Sequence, residues 1–356
     1  MRTLVVNTAR LGDVVMMTPL LEALRPHCER LTVVTAPIGA ELLIDHEVWP
    51  LLKRPRARGL VALAKMIGRL RDQPFDLAIA AHRSTRTAAL IAASGAARSV
   101  GFENARRAFW YSDRVAWDAD AHQVDRYLAL LEPLGIAAPS RQPSLLAASE
   151  RGDYLCLAPG ASRASKCWPI EHYAGLVRAL TDRGHRIVVT GGADERELGA
   201  QLGRLSPLCD DRTGATTIAE LTELLAGARL FIGNDSGTGH LAAAVGTPVV
   251  SIFGPTEPSQ GYSPIGPDVR TVGLELDCRP CHHTGPRSCP QGHHRCMNDL
   301  ALTTVLDAVD GALAGDLALT VSDHQGDAGV ADDVDRGAAH VERSVDGPDQ
   351  RGVLGR

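Results

Sequence analysis

Short apolar runs alternate with longer amphipathic stretches along most of this chain, the pattern of strand–helix units around a parallel sheet. In the first half, Thr3–Asn7, Leu31–Thr35 and Asp76–Ala80 are predicted as buried strands, with helices over Val14–Leu24 and Arg86–Ala93. The stretch Gly135–Glu150 is rich in Pro, Ser and Ala, lacks any strand signal and is predicted as a linker. The pattern then restarts. Tyr154–Ala158, His185–Thr190, Leu230–Gly233 and Pro248–Ile252 have strand character; Glu171–Thr181, Glu195–Leu205, Ile218–Ala226 and His240–Val245 have helical spacing. Two such series point to an α/β protein of two facing Rossmann-like domains, with a ligand cleft between them. The expected division is 1–145, 151–315 and a tail, 320–356. A last helical stretch covers about 302–314, and the polar, Gly-rich tail is predicted to be disordered.

Composition narrows the classes. The chain has 356 residues, 44% of them apolar, enough for two cores of about 150 residues each. No window approaches the ~18 apolar residues of a membrane span, and the first stretch lacks the cationic start of a signal peptide. A net charge of -5 and a pI near 6.2 remove the general footprint of a nucleic-acid binder. Eight cysteines without an export signal point to reduced thiols and a cytoplasmic setting. Lysine occurs only at 53, 65 and 166, so a lysine in a small-residue loop stands out.

Five segments carry candidate chemistry. In Asn7-Thr8-Ala9-Arg10-Leu11-Gly12-Asp13, Gly12 is expected to permit a tight turn. Asp13 is either a helix cap or a general base aimed into the cleft. The dinucleotide pattern G-x-G-x-x-G is absent there. Pro159–Pro169 places Lys166 in a loop of small residues after a strand, where a cation would stabilise phosphate; the alternative is a solvated lysine. In Phe231–His240 a strand runs into Asp235, Ser236, Gly237 and Thr238 at a helix start, an anion-binding arrangement. The alternative for Asp235 and His240 is a structural cap or a satisfied core group. Glu195, after Gly191-Gly192, fits either a ribose contact or first-turn complementation of the helix dipole. Cys278, Cys281, Cys289 and Cys296 fit either a structural zinc tetrahedron or a reduced, metal-free loop.

Together RLGDVVMMTPLLEALR, APGASRASKCWPIEHYAGL, FIGNDSGTGHLAAAVGTPVVSIFGPTEP and CRPCHHTGPRSCPQGHHRCMNDL resemble the ADP-heptose:lipopolysaccharide heptosyltransferases, glycosyltransferase family 9, heptosyltransferase II-like members in particular. The resemblance spans about 1–312 and implies a GT-B fold and inverting transfer from a nucleotide sugar, with no cofactor required for catalysis. Carried over by position, it makes Asp13 the base and Lys166 the phosphate-stabilising cation. Ser162, Glu195, Asp235, Ser236, Gly237, Thr238 and His240 would hold the donor, and Arg10, Arg83 and Arg86 the acceptor. The implied partners are a nucleotide-sugar donor and a saccharide or lipid-linked acceptor, with no nucleic acid, and with peripheral contact at the inner membrane face allowed. The alternatives are transfer to another glycan or secondary metabolite, a non-catalytic nucleotide-sugar sensor, and an epimerase of the same fold.

Overall fold

The computed structural model describes residues 1–52, 56–147, 150–322 and 342–343. The first half contains β1 (Arg2–Asn7), α1 (Leu11–Met16), α2 (Thr18–Leu24), β2 (Arg30–Thr35), α3 (Pro37–Leu42), β3 (Glu47–Pro50), α4 (Arg56–Arg71), β4 (Leu77–Ala80), α5 (Thr85–Ala93), β5 (Arg98–Phe102), β6 (Asp113–Val115) and α6 (Gln123–Ala129). The second contains β7 (Leu155–Ala158), α7 (Ile170–Asp182), β8 (Ile187–Val189), α8 (Arg196–Gly203), β9 (Cys209–Asp211), α9 (Ile218–Ala226), β10 (Leu230–Asn234), α10 (Gly237–Ala244), β11 (Val249–Ile252), β12 (Val269–Val272), α11 (Arg295–Asn298), α12 (Leu302–Ser322) and β13 (Glu342–Arg343).

Each half is built on its own sheet, ordered β3-β2-β1-β4-β5-β6 and β13-β12-β11-β10-β7-β8-β9. All pairings are parallel except that of β13 with β12. Central strands such as β1, β4, β7 and β11 are buried on both faces, as helices above and below a parallel sheet require. In each sheet the strand order reverses beside the first strand, between β1 and β4 and between β7 and β10. Ligands of open parallel sheets bind outside the strand ends at such switch points, so the loops after β1, β4, β7 and β10 carry the chemistry.

Sequence periodicity places most of the central strands and leaves out the shorter outer ones. Val14–Leu24 is two helices rather than one, because Pro19 at the start of α2 lacks the N–H that would continue α1. Edge strand β3 ends on Pro50, and β6 and β9 have only three residues each, too few for a visible period. The 302–314 helix runs on to Ser322. Apart from 320–322 and the two residues of β13, the 320–356 tail lies outside the described residues.

One apolar core crosses from half to half. Val14, Val15 and Met17 in the α1 region belong to the same buried cluster as Leu241, Ala242 and Ala243 of α10. Gly12 is buried inside α1, not at a turn. A Cβ on it would sit 3.0 Å from the His240 ring, and one on Gly237 would sit 3.1 Å from the Gly12 nitrogen. The glycines let the first turns of two helices from opposite halves come together.

Candidate active site

Two cavities meet at this seam. One, of about 730 Å³, lies against the first sheet and is lined by His82, Arg83, Arg86, Arg106 and Gln123. The other, of about 700 Å³, lies between the halves and is lined by Ser162, Lys166, Glu195, Asp235, Ser236, Gly237, Thr238 and His240. Ala9, Asp13 and Tyr262 line both. The carboxylate of Asp13 is therefore at the boundary where one molecule could react with another.

Asp13 stands in the first turn of α1, where its Oδ2 accepts the backbone N–H of Arg10 at 3.3 Å. It is thus a cap and a cavity group at once. Behind it, the Asn7 side chain donates to the Tyr127 hydroxyl at 3.2 Å and to the Asp13 carbonyl at 3.4 Å, fixing the loop after β1. Burial, reinforced by the charge of Asp13, holds the Tyr127 phenol well above its ordinary pKa.

The lysine of the β7 loop is not solvated. Lys166 is 7% exposed, and its ammonium lies 2.5 Å from Asp235 Oδ2, which also accepts the Thr256 hydroxyl at 2.7 Å. A buried ion pair of this kind is costly to desolvate and is sustained by its further hydrogen bonds. Asn234, the last residue of β10, holds the loop in register. It donates to the carbonyls of Pro159 and Gly160 at 2.7 and 3.3 Å and accepts the Trp168 N–H at 3.0 Å.

Ser236 is the residue before α10, in extended backbone, and its hydroxyl makes no capping bond. That oxygen is buried without a hydrogen-bond partner. Orphan N–H groups at a helix start, an orphan hydroxyl and a buried ammonium around one cavity are groups able to bind phosphate oxygens. His240, one turn into α10, is pushed down to about 4, first by burial and further by His122 and Lys166, with Asp235 opposing. It faces the cavity as a neutral imidazole at physiological pH.

The remaining expected residues divide. The Glu195 carboxylate accepts the Gly192 N–H at 2.7 Å and lies where a Cβ on Gly160 would be, so it forms the cavity floor while capping its own turn. Arg10 lines the second cavity rather than the first, and its guanidinium donates across the seam to the Ser162 hydroxyl at 3.0 Å. Arg83 and Arg86 do line the first cavity. Arg83 stacks on Trp117 at 3.6 Å, and Arg126 approaches the same ring at 4.7 Å. Arg106, Trp117, Gln123 and Tyr127 escaped sequence reasoning because no periodicity or spacing ties them to residues 82–86.

The Cys-rich segment has a visible structural task. The His294 ring bonds the Ser165 carbonyl at 2.7 Å, Ser165 Oγ donates to the Pro286 carbonyl, and Gly285 crosses the Lys166 stem. Arg279 donates to the carbonyls of Gly254, Leu274 and Thr256, while Cys281 N–H donates to that of Pro255. The segment thus buttresses both the lysine loop and the turn holding Thr256. Among the described residues no group of three or more His, Cys, Asp or Glu is arranged to hold a metal. Cys278, Cys281, Cys289 and Cys296 are free thiols, and burial pushes Cys296 up to about 11. Cys296 is buried in the core cluster with Met297, while Cys278, Cys281 and Cys289 are half-buried.

Two sheets whose switch points face one cleft, with a carboxylate on the wall between two cavities, form an arrangement of the GT-B type. The model of glycosyltransferase family 9 (heptosyltransferase) matches residues 63–290, and the chain belongs to that family. It is 25% identical to lipopolysaccharide heptosyltransferase 2 of Escherichia coli K12, over 88% of this chain and 99% of that protein. The solved E. coli ADP-heptose lps heptosyltransferase II superposes with a TM-score of 0.74 at 23% identity, covering 89% of this chain and all of that one. The family 9 glycosyltransferase from Veillonella parvula gives 0.75 at 21% identity, covering 88% and 97%.

Proposed function

We propose that this glycosyltransferase moves a heptose, with inversion, from ADP-heptose to a hydroxyl of an inner-core lipopolysaccharide saccharide on the cytoplasmic side of the membrane. The observation that carries the reading is the placement of Asp13 on the wall shared by two cavities, one of which holds the phosphate receptor of Lys166 and Ser236. Residues 1–145 take the acceptor and 151–315 the donor.

In this reading Asp13 takes the proton of the acceptor hydroxyl as its oxygen attacks the anomeric carbon from the face opposite the diphosphate. The bond to the diphosphate breaks, and the charge gathering there meets the Lys166 ammonium, the first N–H groups of α10 and the Ser236 hydroxyl. Donors fixed before reaction in a cavity shielded from water stabilise such charge strongly. Lys166 is held by Asp235, which Thr256 in turn hydrogen-bonds, and so does not have to be ordered when the donor binds. The relatives' names supply the sugar and acceptor: ADP-heptose belongs to the solved E. coli protein and lipopolysaccharide to the curated one.

Incubation of the purified chain with ADP-heptose and a heptose-bearing core saccharide, followed by mass spectrometry, is expected to show one added heptose. Acceptor-dependent addition of a different sugar would overturn the donor assignment, and nucleotide binding without product would overturn the transferase. Metal analysis tests the cysteine segment separately. One zinc per chain lost together in variants of Cys278, Cys281, Cys289 and Cys296 would establish the tetrahedral site, and metal-free protein leaves the segment its packing role.

A further inference from the structure

We propose that the α4 and Phe109–Trp110 face of the first half is a docking surface for an anionic lipid bilayer, placed at the mouth of the acceptor cavity. The helix Arg56–Arg71 carries five arginines or lysines and no acid. Its outward residues mix charge with apolar surface: Leu60 is 61% and Val61 57% exposed, beside exposed Arg58 and Lys65. Its inward residues Met66 and Leu70 pack in the same buried cluster as Ala108 and Tyr111, which places the turn Ala108–Trp110 on the same side of the sheet. On that turn Phe109 is 66% exposed and Trp110 43%, ring against ring at 5.9 Å. Arg107 enters the turn in left-handed backbone with φ of 68°, its guanidinium 5.9 Å from the Trp110 ring. Among residues 103–112, Arg106 and Arg107 stand against one acid, Glu103.

Topology sets these groups around the acceptor cavity. α4 starts just after β3 and the aromatic turn follows β5, both at the strand ends that face the cleft. Arg106, three residues before Phe109, lines the acceptor cavity itself. Exposed Trp and Phe amid cations, with no acid on the helix, is the complement of an acyl boundary under anionic headgroups. No helix of the described residues is long and apolar enough to cross a membrane, so the attachment is to the surface. The inference rests on the proposed lipid-linked acceptor, whose saccharide would enter the cavity beside its own bilayer.

The test uses the whole chain with vesicles containing no acceptor, of phosphatidylcholine alone or mixed with phosphatidylglycerol. The native chain is expected to pellet with the mixed vesicles, to leave the neutral ones in solution and to release as salt rises. Trp110 emission should shift to the blue on binding, and Trp110→Phe should remove that shift while retaining binding. Phe109→Ser/Trp110→Ser and Arg58→Glu/Lys65→Glu, checked for native circular dichroism, should each lower the partition coefficient at least about tenfold. Both should keep native turnover on a water-soluble acceptor, a separate assay whose failure in the native chain would count against the transferase and not the docking. Absent binding, equal binding to both vesicle types, native-like binding by both variants, or a dimer dispersed by Phe109→Ser/Trp110→Ser would overturn the proposal.

Discussion

The two cavities are nearly equal in volume and opposite in construction. Around the cavity between the halves the ionic groups are paired and braced before any ligand arrives: Lys166 on Asp235, Asp235 on Thr256, and the Thr256 turn on Arg279. Around the cavity against the first sheet the arginines are more exposed, and Arg83 rests on an aromatic face rather than on a carboxylate. In the proposed reading the braced cavity takes the diphosphate, which is the same in every donor of a given nucleotide, so a rigid receptor lowers the cost of ordering on binding. Solvated cations on long side chains adapt to acceptors of different shape, at lower affinity per contact.

Four changes test this contrast. Asp13→Asn keeps an oxygen to accept the Arg10 N–H but removes the base. Transfer should fall by about 10²–10⁴-fold while nucleotide affinity in a calorimetric titration stays within about twofold of native. Lys166→Ala should reduce turnover by about 10²–10³-fold and weaken nucleotide binding. It also strands Asp235, lowering stability by about 3–5 kcal/mol in denaturant unfolding. Lys166→Met/Asp235→Leu should recover much of that stability and none of the turnover, which separates the brace from the chemistry.

The third change is pH. His240 is held near 4 in the fold against an ordinary value of 6.5, so the unfolded chain takes a proton there that the folded chain refuses. Its contribution is present above pH 6.5 and is lost as pH falls toward 4, up to about 3 kcal/mol. Melting temperatures across that window should fall less steeply in His240→Gln than in the native chain. An equal slope would show that the imidazole is not shielded on the donor side. Arg83→Ala/Arg86→Ala is the mildest: the acceptor KM should rise about tenfold with the donor KM unchanged. A matching rise in donor KM would erase the distinction between the cavities.

Much of the lining of the cavity between the halves was legible in the sequence because it is local. A strand running into Asp235-Ser236-Gly237-Thr238 and a helix is contiguous, and a lone lysine after a second strand is visible without any partner. The other cavity is assembled from the segments after β1, β4, β5 and β6, from α6, and from Tyr262 of the other half. Arg106, Trp117 and Gln123 share no spacing rule with Arg83, so pattern reasoning could not gather them.

Sequence by itself determined two α/β halves, the strand–helix loops at their edges and the residue types available there, since period and turn chemistry are properties of neighbours in the chain. Tertiary structure decided what those residues do to one another. It made Gly12 a point of helix approach and buried Lys166 against Asp235. It turned the cysteine segment into a brace and left Asp13 between two cavities. Each depends on distances between segments far apart in the chain, or on packing across the seam, which no local pattern encodes.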